Sequence, residues 1–218
     1  MNLCPKRWSR RKEARPHEIL EAALELFAEK GYAATRIDEI AKRAGVTRGT
    51  PYLYFAGKEE IFKALISELL LPALDEAEAL FNGFSGSASE RLRCVVHVWW
   101  QSMGETRLSA LPKLMVAEAG NFPEVAQLYN EQFVARGEAI FRQVIEAGIA
   151  SGEFRAIDVE YALHVLCAPV VMAMLSRYMP CGHAQLDPVR YLDTLLDLML
   201  HGLYPHPDST RSEVSDHA

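Results

Sequence analysis

Apolar residues along this chain fall again and again three and four positions apart, the spacing that collects them on one side of a helix. From His17 to Lys30, Ile19, Leu20, Ala23, Leu24 and Phe27 predict a helix that Gly31 closes. A shorter set follows: Ile37, Ile40, Ala41 and Ala44 share one face, while Arg36, Asp38, Glu39, Lys42 and Arg43 stay wet. Thr35 stands at the N-cap position of that helix, with Asp38 as the partner of a weak capping box. Gly45 ends it in the left-handed conformation that glycine takes without steric cost. Val46 plugs the turn and Thr47 caps a second short helix with Arg48, Gly49 and Thr50 in its first turn. The spacing then predicts a long helix from Lys58 to about Phe81, with Ile61, Phe62, Leu65, Ile66 and Leu69 inward and a bend at Pro72, whose nitrogen cannot bond to Glu68. A boundary between two domains falls inside that helix, near residue 63, making it their one covalent link.

Beyond the loop 82–89, Ser87 and Glu90 form a capping box for a helix carrying Leu92, Val95, Val96, Trp99, Trp100 and Met103. The two tryptophans point about 100° apart, which lets one line a cavity while the other packs. Leu108–Ala119 reads as a further helix, and Pro123 opens a long one that Gly152 ends. Arg136 falls on its apolar stripe between Phe133 and Ile140 and needs an acid: an acidic small molecule, or, the favoured reading, Glu118. The last two helices run from Asp158 to about Tyr178 and from Asp187 to Leu203. Their stripes, Val159, Leu163, Leu166, Val170 and Met174, then Leu192, Leu195, Leu196, Met199 and Leu203, could pack within one subunit or against the same pair of a second. Pro169 should bend the first near Val165. Residues 205–218, with two prolines, read as a flexible tail.

The segment 47–58 carries the chemistry. Tyr52 and Tyr54 lie two apart and cannot both enter one core, so their hydroxyls can reach phosphate oxygens on either side of the groove. Gly49 keeps no side chain between backbone and duplex, Arg48 suits phosphate or a guanine edge, and Thr50 suits a base or a thymine methyl. Lys58 adds a phosphate contact, Phe55 anchors the segment, and Pro51 forfeits one backbone bond early enough to be tolerated. Charge changes this picture only modestly. The net charge is −6, but residues 1–63 hold 13 Lys and Arg against 9 Asp and Glu, and the remainder 10 against 20. A basic head on an acidic body fits nucleic-acid binding. Residues 1–15, with six basic side chains, read equally well as a disordered arm tracking phosphates or as an ordinary charged tail. Cysteines 4, 94, 167 and 181 show neither metal spacing nor a disulfide framework. No metal or cofactor is suggested, and no apolar run of membrane-spanning length stands out. These features place the chain in the cytoplasm.

VTRGTPYLYFAGKEEIF resembles the recognition-helix signature of the TetR/AcrR family of bacterial regulators, and FAEKGYAATRIDEIAKRAG the segment before it. LPKLMVAEAGNFPEVAQLYNEQF resembles, more loosely, the ligand-binding half of one branch. The resemblance implies an all-α homodimer with a three-helix helix-turn-helix domain over 16–63 and a helical bundle over 64–204 that binds an effector and dimerises. It implies a double-stranded operator contacted by Thr35, Arg36, Thr47, Arg48, Gly49, Thr50, Tyr52, Tyr54 and Lys58. Trp99, Trp100, Met103, Met115, Glu118, Phe133, Arg136 and Cys167 are the effector-pocket candidates, and the C-terminal stripes above are the dimer candidates. The family commonly has a bulky aliphatic residue where this chain has Pro51. Two other classes compete. In one, Cys181 in the loop PCGH makes the regulator a redox sensor. In the other, His97, His164, Cys167 and Cys181 serve a helical enzyme, though no nucleophile–base set accompanies them.

Overall fold

The computed structural model describes residues 6–178 and 187–205, and among these the regular structure is entirely helical. The chain forms α1 (Lys6–Lys30), α2 (Ile37–Arg43), a 3₁₀ turn (Pro51–Leu53), α3 (Lys58–Leu65), α4 (Leu71–Asn82), α5 (Ala88–Trp99), α6 (Ala110–Glu118), α7 (Pro123–Tyr129), α8 (Ala135–Ala150), α9 (Val159–Ser176) and α10 (Pro188–Leu203). Three π turns, Ile66–Leu70, Trp100–Gly104 and Asn130–Val134, join α3 to α4, extend α5 and join α7 to α8. The first of them ends two residues before Pro72, where the sequence predicts a bend. Its widest bond runs from the Leu71 N–H to the Ile66 carbonyl, just before the proline that cannot donate.

Two compact units result, one of residues up to Asp75 with Met103–Val134, the other of Glu76–Ser102 with the described residues from Ala135 on. The chain therefore passes between them three times, not through one linking helix. In the first unit α1 begins at Lys6, where the pattern predicted His17. Its opening is rich in lysine and arginine, both good helix formers, and the fixed φ of Pro16 is helical even though the ring forfeits one backbone bond. Ile19, Leu20, Phe27, Ile40, Ile61, Phe62 and Leu65 are fully buried, each such side chain contributing roughly 1.5–3 kcal/mol. The Tyr32 ring ties the elements together, with centroids 5.2 Å from Phe27, 5.2 Å from Phe62 and 4.6 Å from Phe122. Arg43 clasps α2 to α1 with two 2.8 Å bonds to Glu29 and one of 3.0 Å to Glu25.

The second unit packs α5, α8, α9 and α10 around Leu92, Val96, Val144, Ile145, Val170 and Leu196. Ser87 and Glu90 form the expected capping box, and Asp158 and Asp187 cap α9 and α10 as their sequence positions predict. The Glu153 carboxylate adds a long-range cap, accepting from the backbone N–H of Ala88 at 2.7 Å and of Ser89 at 3.0 Å. Gly148 is required by packing: a Cβ there would lie 2.2 Å from the Phe154 ring.

Candidate functional site

The segment 36–58 is set on the first unit by bonds that the sequence only partly forecasts. α2 ends at Gly45, φ +65°, with Val46 N–H bonded to the Ala41 carbonyl at 2.9 Å and Gly45 N–H to Lys42 at 3.2 Å, the paired bonds of a glycine-closed helix. Its N-cap is Arg36, not Thr35, and the Glu39 carboxylate accepts from the Arg36 N–H at 2.9 Å. Thr35 is 2% exposed, its hydroxyl donating inward to the carbonyls of Gly31 (2.7 Å) and Leu26 (3.3 Å). That hydroxyl is therefore structural, which corrects its assignment as a DNA contact. Asp38, released from capping, pairs with Arg48 at 2.9 Å and lies 3.8 Å from Arg36.

The expected second helix is a turn followed by 3₁₀ structure. Pro51 has no N–H for the Thr47 carbonyl, so Thr50 bonds to it instead at 2.9 Å, and Leu53 bonds to Thr50 at 3.1 Å. Thr47 does not cap that segment from its side chain; its hydroxyl pairs with that of Thr50 at 2.8 Å. Pro51 is buried, occupying inward space, and Phe55 is 8% exposed beneath. Arg36, Thr47, Arg48, Gly49 and Tyr52 are exposed, and Thr50 and Tyr54 half-buried. Lys58 is turned inward. Its ammonium donates to the carbonyls of Tyr32 (2.7 Å), Thr35 (3.0 Å) and Ala33 (3.1 Å) and lies 4.4 Å from the Tyr32 ring centre. Burial pulls its pKa below the ordinary lysine value, with the Glu118 carboxylate pushing the other way. Glu118, 7% exposed, receives the Ala33 N–H at 3.3 Å and the Asn121 side-chain amide at 3.1 Å. The turn before α2 is thus gripped by α3 from one side and α6 from the other.

α6 and α7 also border an open cleft of about 590 Å³, lined by Met115, Val116, Ala119, Ala126, Gln127, Tyr129, Asn130 and Glu131. Of the eight effector candidates only Met115 lines it. Four of the eight, Trp99, Trp100, Arg136 and Cys167, belong to the second unit, and Met103, Met115, Glu118 and Phe133 to the first. Met103, Trp100 and Phe133 are core residues, and Trp99 meets Phe141 edge to face. Arg136 pairs with Glu78 through bonds of 2.6 and 3.0 Å, not with Glu118.

Residues 19–65 match the model of "Bacterial regulatory proteins, tetR family", and residues 85–194 that of "Tetracyclin repressor-like, C-terminal domain". The chain belongs to the TetR family. Over 196 residues it is 32% identical to the HTH-type transcriptional repressor KstR2 of Rhodococcus jostii, covering 85% of this chain and 91% of that one. It is 28% identical over 198 residues to the fatty acid metabolism regulator protein of Bacillus subtilis, covering 88% and 98%. The crystal structure of the Bacillus subtilis regulator FadR, in complex with stearoyl-CoA, superposes with a TM-score of 0.71 at 27% identity over 86% of this chain and 99% of that one.

The residues expected to form a dimer face on the C-terminal helices are turned mostly into this chain's own core. Leu163, Leu166, Val170, Met174, Leu192, Leu196, Met199 and Leu203 are buried in the protomer's own core, with Val159 and Leu195 half-buried. The apolar surface left on α9 is the opposite stripe, Tyr161, Val165, Ala168 and Met172, and on α10 it includes Leu198. α9 is apolar enough and long enough to cross a membrane, with mean hydropathy 1.6 over 18 residues, which revises the expectation that no such run exists. The reason is that both of its faces are apolar, one for the core and one outward. Burial pushes the thiol of Cys167 up to about 12 and that of Cys94 upward, so neither is a ready thiolate. Cys4 and Cys181 lie outside the described residues. His97 bonds to the Arg93 carbonyl at 2.8 Å, and His164 stands 4.0 Å from Glu138. Sequence reasoning missed Glu78, the Asp38–Arg48 pair, most of the cleft and the exposed Leu53. One signal was present for the cleft: between Lys113 and Arg136 the chain has three carboxylates and no cation.

Proposed function

We propose that this regulator is a cytoplasmic repressor that grips a palindromic operator as a homodimer and releases it when a small apolar or amphipathic molecule binds. The observation that carries the reading is the turn 47–54. It presents Arg48, Gly49 and Tyr52 outward from a buried three-helix core, with Thr50 and Tyr54 half-buried at its edge and Arg36 and Thr47 exposed beside them. DNA recognition then lies within residues 16–63, with Thr35 and Lys58 acting from beneath by fixing the turn that precedes α2. Dimerisation is supported by the outward stripe of α9, which is too apolar to face water over that length. Two heads so joined would meet half-sites about 34–36 Å apart.

The cleft supports a small-molecule trigger. Its volume falls inside the roughly 300–1,000 Å³ usual for ligand sites, and relatives that regulate fatty acid metabolism, one seen with stearoyl-CoA, supply the class of an apolar tail. α6 gives the trigger a route. Met115, Val116 and Ala119 face the cleft, while Glu118 and Lys113 on the same helix hold the Ala33 N–H and, at 3.0 Å, the Ala28 carbonyl. A molecule that fits one position of α6 better than another therefore shifts the head by as much as the two affinities differ. The test is selection of duplexes from a random pool, followed by anisotropy titration with and without candidate amphiphiles. A two-fold-symmetric sequence bound by a dimer is expected. Failure to enrich any sequence at low salt overturns the reading.

A further inference from the structure

Leu53 is the most exposed large apolar side chain among the described residues, at 79%. A single leucine in water is ordinary, but this one sits in the middle of the DNA-facing turn. The chain conformation puts it there. Because Pro51 withholds a donor, the backbone tightens to 3₁₀ geometry with Leu53 N–H on the Thr50 carbonyl at 3.1 Å. In a 3₁₀ turn residues three apart fall on one side, which puts Leu53 on the side of Thr50. Pro51 and Phe55 are held inward, and Leu53 stands outward with the half-buried Thr50 on the same side.

Thr50 offers a methyl as well as a hydroxyl, whereas Leu53 offers only carbon. In the major groove, base edges present donors, acceptors and one apolar group, the 5-methyl of thymine. We propose that Leu53 is a specificity-determining residue that packs on a thymine 5-methyl in each half-site, extending the apolar contact begun by the Thr50 methyl. The inference rests on the reading of residues 47–54 as the DNA-facing turn. It goes further by naming a base and the group on it. A leucine packed on deoxyribose carbons would also be covered, but it would be blind to sequence.

Replacing thymine by deoxyuridine removes the methyl and nothing else. Each thymine of the selected operator is replaced in turn, and affinity is measured by anisotropy for the full-length protein and for Leu53→Ala. With so exposed a side chain the variant keeps its fold, which a thermal melt verifies. At one position per half-site, deoxyuridine is expected to weaken the wild-type protein roughly threefold to tenfold. Leu53→Ala should lose as much on the thymine duplex and nothing more on the deoxyuridine duplex. The proposal is overturned if no deoxyuridine position matters, if the loss persists in Leu53→Ala, if Leu53→Ala weakens every duplex equally, or if the selected half-site contains no thymine. A wild-type protein that binds no duplex at all defeats the DNA reading itself, an outcome distinct from bound but methyl-insensitive DNA.

Discussion

Replacing Lys58 separates two roles that the sequence alone cannot tell apart. As a phosphate contact its loss would leave stability untouched and lower the slope of log K against log salt by about 0.9. The structure argues otherwise. All three ammonium protons are directed at the carbonyls of Tyr32, Thr35 and Ala33, at 2.7–3.1 Å, and the charge lies against the Tyr32 ring. A fully buried bond of this kind contributes about 1.5–3 kcal/mol. Partial exposure reduces that to roughly 0.5–1 kcal/mol each, and the ring adds a further ~0.5–1 kcal/mol. The depressed pKa reports a desolvation cost that offsets part of this, leaving about 2–3 kcal/mol. Lys58→Met keeps an apolar stem beside the tyrosine and removes both the donors and the charge, so the carbonyls and the ring lose their partner together. Urea unfolding should show a lower midpoint at unchanged slope, and the melting temperature should drop by about 4–12 °C. Duplex binding by the folded variant should keep its salt slope. A Lys58→Met protein as stable as the wild type, with its slope reduced by about 0.9, would refute the reasoning.

Three further outcomes follow from particular contacts. Asp38→Asn frees Arg48 and Arg36 and removes a negative charge from the DNA-facing surface, so anisotropy should show roughly twofold to fivefold tighter duplex binding at low salt; weaker binding would contradict the pairing. Burial pushes the Glu153 carboxyl up, but the Ser89 hydroxyl and the backbone donors of Ser89 and Ala88 outweigh it, and the net pKa lies below the ordinary 4.5. A lowered folded-state value gives stability that is present above 4.5 and lost as pH falls through the folded value, so Glu153→Gln should flatten the acid limb of a stability–pH curve. Val165→Glu on the outward stripe of α9 should give a monomer by sedimentation that loses the two-fold-symmetric operator; a dimer unchanged by that charge would place the interface elsewhere.

Helices were legible because their signals are local. Gly45 and Gly152 closing helices, Ser87, Asp158 and Asp187 opening them, and Pro123 at a first turn each depend on neighbours within a few residues. Where competition between local options decided, the reading slipped by one residue. Thr35 and Arg36 both have a claim to the N-cap of α2; the Gly31 and Leu26 carbonyls draw the threonine hydroxyl inward, and Arg36 takes the position with Glu39 as its partner. Pro51 was legible as a missing donor, but its consequence, a 3₁₀ turn that lifts Leu53 outward, needed the carbonyl of Thr47 to find another partner.

Contacts between distant segments left much fainter traces. Arg136 visibly needed an acid, yet nothing in the spacing separates Glu118 from Glu78, because the choice is made by how α4 and α8 approach. Once Glu78 takes the arginine, Glu118 is free to hold the Ala33 N–H. The same limit explains the dimer residues. A helix with one apolar stripe shows which side is buried, but α9 has two, and periodicity cannot say which one its own subunit uses. The stripe carrying Leu163, Leu166, Val170 and Met174 faces α8 and α10, while Tyr161, Val165, Ala168 and Met172 are exposed. The reading of α9 as dimer-forming can thus keep its helix while exchanging every residue of its contact face, which is why a charge at Val165, and not one at Leu166, isolates association from folding.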